Sequence, residues 1–175
     1  MKILFTGGSS FTGYWFIREL AAAGHEVTAI YRKAPEEYGD AVRRERVRLG
    51  GEASRAVHGC GFGDERFLGL LEEGGWDVIC HHASDVTNYK SPDFDAVAAV
   101  ANNTHRVREV VNCMERAGCG HLVLTGSVFE GGEGAGSEGL KNVSPYGLSK
   151  SLTAQVFGYY CERAGITFGK FVIPN

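Results

Sequence analysis

A chain of 175 residues with 43% hydrophobic and 22% charged side chains holds enough apolar material for one sizeable core. Its formal charge of −3 supplies no basic field for nucleic acid, and no apolar run approaches the ~20 residues of a membrane span. The five cysteines (Cys60, Cys80, Cys113, Cys119, Cys161) form no CxxC pair, which argues against a metal or redox dithiol. With no secretory leader at the N-terminus, the expectation is a soluble, cytoplasmic chain with reduced thiols.

The elements alternate from the start. Lys2–Phe5 is a short apolar run and reads as a buried strand. Gly13–Ala23 has Trp15, Phe16, Ile17 and Leu20 at helical spacing and ends at Gly24. Val27–Tyr31 is the second strand, and Glu36–Leu49 a charged surface helix whose Arg43–Arg46 cluster reads as a solvated face. Ala56–His58 is a third strand, Glu65–Leu71 an amphipathic helix and Asp77–His81 a fourth strand. Phe94–Ala117 reads as one long helix, followed by strand Leu122–Leu124, helix Tyr146–Ala164 and strand Phe168–Ile173. Trp15, Phe16, Phe67 and Phe157 read as core. Such alternation with unbroken apolar strands implies α/β architecture, a doubly wound parallel sheet covered on both faces. Residues 1–175 read as one domain, and the glycine-rich stretch Glu130–Ser144 is its one long loop.

Between the first strand and helix lies TGGSSFTG, residues 6–13. Gly7 permits a tight turn, the main chain of Ser9, Ser10, Phe11 and Thr12 can approach a pyrophosphate, and Gly13 allows close helix packing. The helix N-terminus adds free N–H groups and a positive dipole end. Ser10 stands where a third glycine is usual; it is small and can donate to a phosphate oxygen, at some cost in backbone freedom. The second strand ends in Tyr31, Arg32 and Lys33 rather than in a carboxylate for ribose hydroxyls. Arg32 suits a 2′-phosphate, so NADP is expected ahead of NAD.

Tyr146 and Lys150 are one helical turn apart. A phenol has a pKa of about 10. An ammonium ~5 Å away at an effective dielectric of ~20 contributes roughly 3 kcal/mol, about two pKa units, and brings the phenol toward general acid/base use. Ser127, at the carboxyl end of the fifth strand, can hydrogen-bond a substrate oxygen, with Thr125 as its rival. His81 and His82 are adjacent on a strand and face opposite ways, so a shared metal is not expected. Asp85 reads as a turn cap.

The glycine loop, HHAS at 81–84, Ser127 and YGLSK at 146–150 resemble the extended short-chain dehydrogenases/reductases, the NAD(P)-dependent sugar epimerase/dehydratase family. That resemblance implies a Rossmann fold, hydride transfer to and from a nicotinamide, and a nucleotide-sugar substrate. It assigns Tyr146 as base, Lys150 to the nicotinamide ribose and Ser127 to substrate positioning. His82, Ala83 and Ser84 fall on the strand end that lines the cofactor, Asn103 matches the asparagine of the long helix, and Phe171–Asn175 matches a strand leading toward substrate. Departures from the family are Ser10, Tyr31, a shortened TGSVFEG, no Asp-Glu pair after the hydroxyl residue, and Cys60 where an aspartate contacts adenine. The family also continues past Asn175 into a substrate-binding region, so the chain is expected to be a cofactor half or a short member. The residues leave open a non-catalytic dinucleotide sensor and an isolated cofactor half of a larger enzyme. A homodimer is a family expectation; Val107, Val110, Val111, Val156 and Tyr159 can serve its face or the core.

Overall fold

A computed structural model describes residues 1–132 and 144–173. Its frame is a six-stranded sheet in the order β3-β2-β1-β4-β5-β6, built from β1 (Lys2–Thr6), β2 (Glu26–Tyr31), β3 (Arg55–His58), β4 (Val78–His81), β5 (His121–Ser127) and β6 (Thr167–Ile173). Every pairing is parallel. The chain winds outward from β1 to β3, returns to β4 and winds the other way. The crevice of this Rossmann-like sheet therefore opens at the carboxyl ends of β1 and β4.

Register puts the chemistry at that edge. Thr6 pairs with both Ile30 and His81, and His81 pairs with Leu124. Strand β5 runs on through Thr125, Gly126 and Ser127, paired to Phe171, Val172 and Ile173. Its hydroxyl residues thus project past the level where β1 and β4 stop.

One sheet face packs on α3 (Glu65–Glu72), α5 (Val107–Arg116) and α6 (Pro145–Arg163) through a core that includes Phe67, Met114 and Phe157. The other packs on α1 (Phe11–Ala22) and α2 (Ala41–Ala53) through Phe5, Ile17, Tyr31 and Val47. Val107, Val110 and Val111 belong to the core, whereas Tyr159 is exposed. Trp15 departs from expectation: it is 43% exposed, because Ile17 and Gly13 form the buried stripe of α1 and Trp15 falls beside it, under the Arg18 guanidinium.

Two helices differ from the sequence reading. The charged segment opens with a 3-10 turn at Pro35–Glu37, and α2 starts only at Ala41, capped by Asp40, and continues through Gly50. That glycine lies over the Tyr31 phenol, whose oxygen would be 2.5 Å from a Cβ there. The expected long helix is two, α4 (Ala96–Asn103) and α5, broken at Thr104–Arg106, with Arg106 left-handed at φ 49. No glycine or proline marks the break. The His105 carbonyl is turned out against Gly63, where a Cβ would come within 2.1 Å of it.

Candidate active site

The glycine loop closes on itself and on β4. Gly7 is left-handed at φ 83, and a Cβ on it would lie 2.7 Å from the Ala83 nitrogen. A Cβ on Gly13 would lie 2.3 Å from the Gly7 carbonyl oxygen. Gly13 is therefore a packing residue behind the loop, while Gly7, Ser9, Ser10, Phe11 and Thr12 line the cleft. Ser10 caps α1: its Oγ accepts from the Gly13 N–H at 3.0 Å and donates to the Gly7 carbonyl at 3.0 Å. The hydrogen expected to serve a phosphate is thus already used within the loop.

His82 ties this loop to β5. Its Nε2 is 3.0 Å from both Ser10 Oγ and Thr12 Oγ1, and its Nδ1 is 2.9 Å from Thr125 Oγ1. Because the Ser10 hydrogen goes to Gly7, Nε2 carries the ring proton and Nδ1 accepts from Thr125. His81 faces the other way and is fully buried: Nε2 donates to the Asn103 carbonyl at 3.1 Å, and Nδ1 accepts from Thr6 Oγ1 at 2.9 Å. Burial holds both rings neutral, pulling His81 down to about 3 and His82 to about 4. Among the described residues no group of histidines, cysteines and carboxylates is disposed to hold a metal. Asn103 braces the next segment, accepting from the Asp85 N–H at 2.8 Å and donating to Ser84 Oγ at 3.1 Å. Asp85 caps its turn through the Thr87 N–H at 2.9 Å.

At the β2 end, Tyr31 is buried, so Arg32 is the first side chain of that edge to reach solvent. Lys33 and Arg43 join it on the cleft wall, so part of the cluster read as a solvated face borders the site. Cys60 is buried with its thiol directed at Asp64 Oδ1, 3.8 Å away, and burial pushes it up to about 12. Asp64 spends its carboxylate on the N–H groups of Gly61 and of Phe67, where it caps α3.

The opposite end of the cleft holds Ser127, Tyr146 and Lys150. Thr125 also lines it, but its hydroxyl hydrogen is committed to His82. Ser127 Oγ accepts from the Phe129 N–H at 3.3 Å, and among the described residues its own hydrogen is given to no other group. Proline at the first helical position and the Ser144 cap start α6, which puts Tyr146 in its first turn beside Tyr89, Phe94 and Phe129. The electrostatics reverse the sequence expectation. Burial first, then Glu130 and Tyr89, push the Tyr146 phenol up to about 12. Lys150 is 3% exposed, and burial draws its ammonium down to about 8 against the pull of Glu130. The carboxylate of Glu130, unassigned in the sequence reading, counters the effect one turn of helix would have given. Its only sequence signal is an acid set in a glycine-flanked turn directly after β5.

These residues border one continuous cleft of about 880 Å³ along the carboxyl edge of the sheet. Its loop end is lined by the glycine loop, which Gly7 lets pack directly on the Ala83 backbone, and its far end has a hydroxyl, a phenol and an ammonium. The donor set fits a dinucleotide laid across the β1/β4 crevice.

Comparison with known proteins gives a family and a fold. The family model described as the NAD dependent epimerase/dehydratase family matches residues 3–175. No curated protein matches the chain. Among solved structures, a UDP-glucose 4-epimerase superposes with a TM-score of 0.77 at 14% identity, over 100% of this chain and 52% of that one. A Tyr-to-Phe mutant of UDP-glucuronic acid 4-epimerase from Bacillus cereus, in complex with a fluorinated UDP-sugar and NAD, gives 0.76 at 20%, over 98% and 56%. DesIV, a dTDP-glucose 4,6-dehydratase from Streptomyces venezuelae with NAD bound, gives 0.69 at 24%, over 98% and 55%. The chain thus spans about half the length of the solved structures it matches.

Proposed function

The chain belongs to the NAD dependent epimerase/dehydratase family, and on that premise we propose that it is the dinucleotide-binding and catalytic part of an enzyme that oxidises and reduces a hydroxyl-bearing carbon of a nucleotide sugar. The observation that carries the reading is the single cleft with the glycine loop at one end and Ser127, Tyr146 and Lys150 at the other. A bound nicotinamide would supply the hydride acceptor and donor. The α1 N-terminus and loop amides bind the diphosphate, Lys150 holds the ribose hydroxyls, and Ser127 donates to the substrate oxygen. Tyr146 takes the proton from that oxygen. Its phenol is high in the free chain, so general-base use needs a positive charge brought beside it, and an oxidised nicotinamide provides one. The family and two of the solved neighbours point to NAD. Arg32, Lys33 and Arg43 at the adenosine end favour NADP as the tighter ligand.

The test is dinucleotide binding by fluorescence together with hydride exchange against a panel of UDP- and dTDP-sugars. Tyr146→Phe is expected to bind reduced dinucleotide as the wild type does and to lose about a hundredfold or more in turnover. The raised phenol also favours a second reading, a dinucleotide-binding module without turnover. A wild-type chain that binds and never turns over decides for it, and one that binds no dinucleotide refutes both.

A further inference from the structure

Behind the cleft wall stands a carboxylate that the mechanism above does not use. Glu130 is 1% exposed. Its Oε1 accepts from the Ser127 main-chain N–H at 2.7 Å, and its Oε2 lies 3.1 Å from Lys170 Nζ. Its own N–H donates to the Ser127 carbonyl at 3.0 Å, so the turn ending β5 is closed from both sides. Gly126 makes the space: a Cβ there would sit 2.8 Å from Glu130 Oε1 and 3.1 Å from the Lys170 stem. The turn also abuts the start of α6, where a Cβ on Gly147 would come 1.9 Å from the Phe129 carbonyl oxygen. A buried carboxylate is costly unless paired, and this one sits among the strand that carries Ser127, the edge strand that carries Lys170 and the helix that carries Tyr146 and Lys150.

Resting on the function proposed above, we infer that Glu130 is a positioning residue: it seats Ser127 through the main chain and is the fixed counter-charge between Lys150 and Lys170. The groups that face Lys150 come from every element around it. Glu130 on the turn holds its proton on, Lys170 on β6 drives it off, and His81 and His82 at the end of β4 are neutral. Glu130 and Tyr89 also face Tyr146. Without the carboxylate, the repulsion between the buried Lys150 and the partly exposed Lys170 would lose the negative charge set against it.

Nitrogen-resolved NMR titration of the Lys150 side chain, assigned with Lys150→Met, reads this role and needs neither substrate nor dinucleotide. Glu130→Gln keeps an oxygen for the Ser127 N–H and removes the charge. Its Lys150 midpoint is expected at least about 1 pH unit below wild type, a tenfold lower proton affinity; an unchanged midpoint overturns the inference. Lys170→Met leaves Glu130 to Lys150 and covers the case in which Glu130→Gln does not fold. Its midpoint is expected to rise, and a midpoint that stays or falls overturns the inference as well. NADH and NADPH binding by the wild type in the same samples separates the two claims: the absence of both refutes the proposed function, while the Lys150 titration still decides the role of Glu130.

Discussion

His81 and His82 couple stability to pH, because each ring is held neutral by its surroundings. Protonation of His81 would cost the hydrogen bond it accepts from Thr6, and protonation of His82 the one it accepts from Thr125. The folded-state pKa values of about 3 and about 4 lie below the ordinary imidazole value of 6.5. The unfolded chain therefore takes up protons first as pH falls. The stabilisation is complete above the unfolded pKa and is lost as pH drops from there through the folded values. Between pH ~7.5 and ~5.5 the loss should reach roughly 2–3 kcal/mol, the smaller share from the less buried His82. Urea denaturation at the two pH values measures it, and His82→Leu should retain only the His81 part. Equal urea midpoints at both pH values in the wild type would show that the rings are not held neutral.

Helix α1 can approach the glycine loop only because its third residue has no side chain. Alanine at Gly13 would push a methyl to 2.3 Å from a backbone oxygen that cannot rotate away. The expected cost is about 1–3 kcal/mol in stability, with NADPH affinity falling at least about tenfold as the loop shifts. Gly24, at the other end of the same helix, is the control: it has φ +81 but nothing within 4 Å of its Cβ. Gly24→Ala should cost about 1 kcal/mol for the left-handed backbone and leave NADPH binding alone. Paired melting curves and binding titrations check both, and equal binding losses would disprove a specific role for Gly13 packing. The same contrast explains what could be read in advance. Elements whose boundaries are set locally, such as β1 with its glycines or α6 with Ser144 and Pro145, were legible from residue types. The break at Thr104–Arg106 was not, because a tertiary contact with Gly63 imposes it. The Tyr146–Lys150 spacing was legible too, but the direction of the phenol shift depended on burial and on Glu130, three residues past the end of β5.

Across the whole molecule, the cleft borders both groups of strands, which are joined by the β1–β4 ladder and, through His82, from the glycine loop to β5. Arg32, Lys33 and Arg43 lie at the β2 end, and Ser127, Tyr146 and Lys150 at the β5–α6 end. A ligand that spans both fastens the two windings together, so its binding should appear as global stabilisation. At a free concentration a hundred times Kd the gain is about 2.7 kcal/mol. For a chain of this size that is roughly 5–10 °C in melting temperature. Matched concentrations then rank the two dinucleotides without any substrate. On the proposed reading, NADP is expected to raise the melting temperature more than NAD, since only NADP carries a 2′-phosphate for the Arg32 guanidinium to pair with. Arg32→Ala should bring the NADP shift down to the NAD shift and leave the latter unchanged, because Arg32 is exposed and carries no core packing. An NAD shift larger than the NADP shift in the wild type would remove the 2′-phosphate argument while leaving the cleft as a dinucleotide site. Equal loss of both shifts in Arg32→Ala would place the guanidinium on a group that the two ligands share.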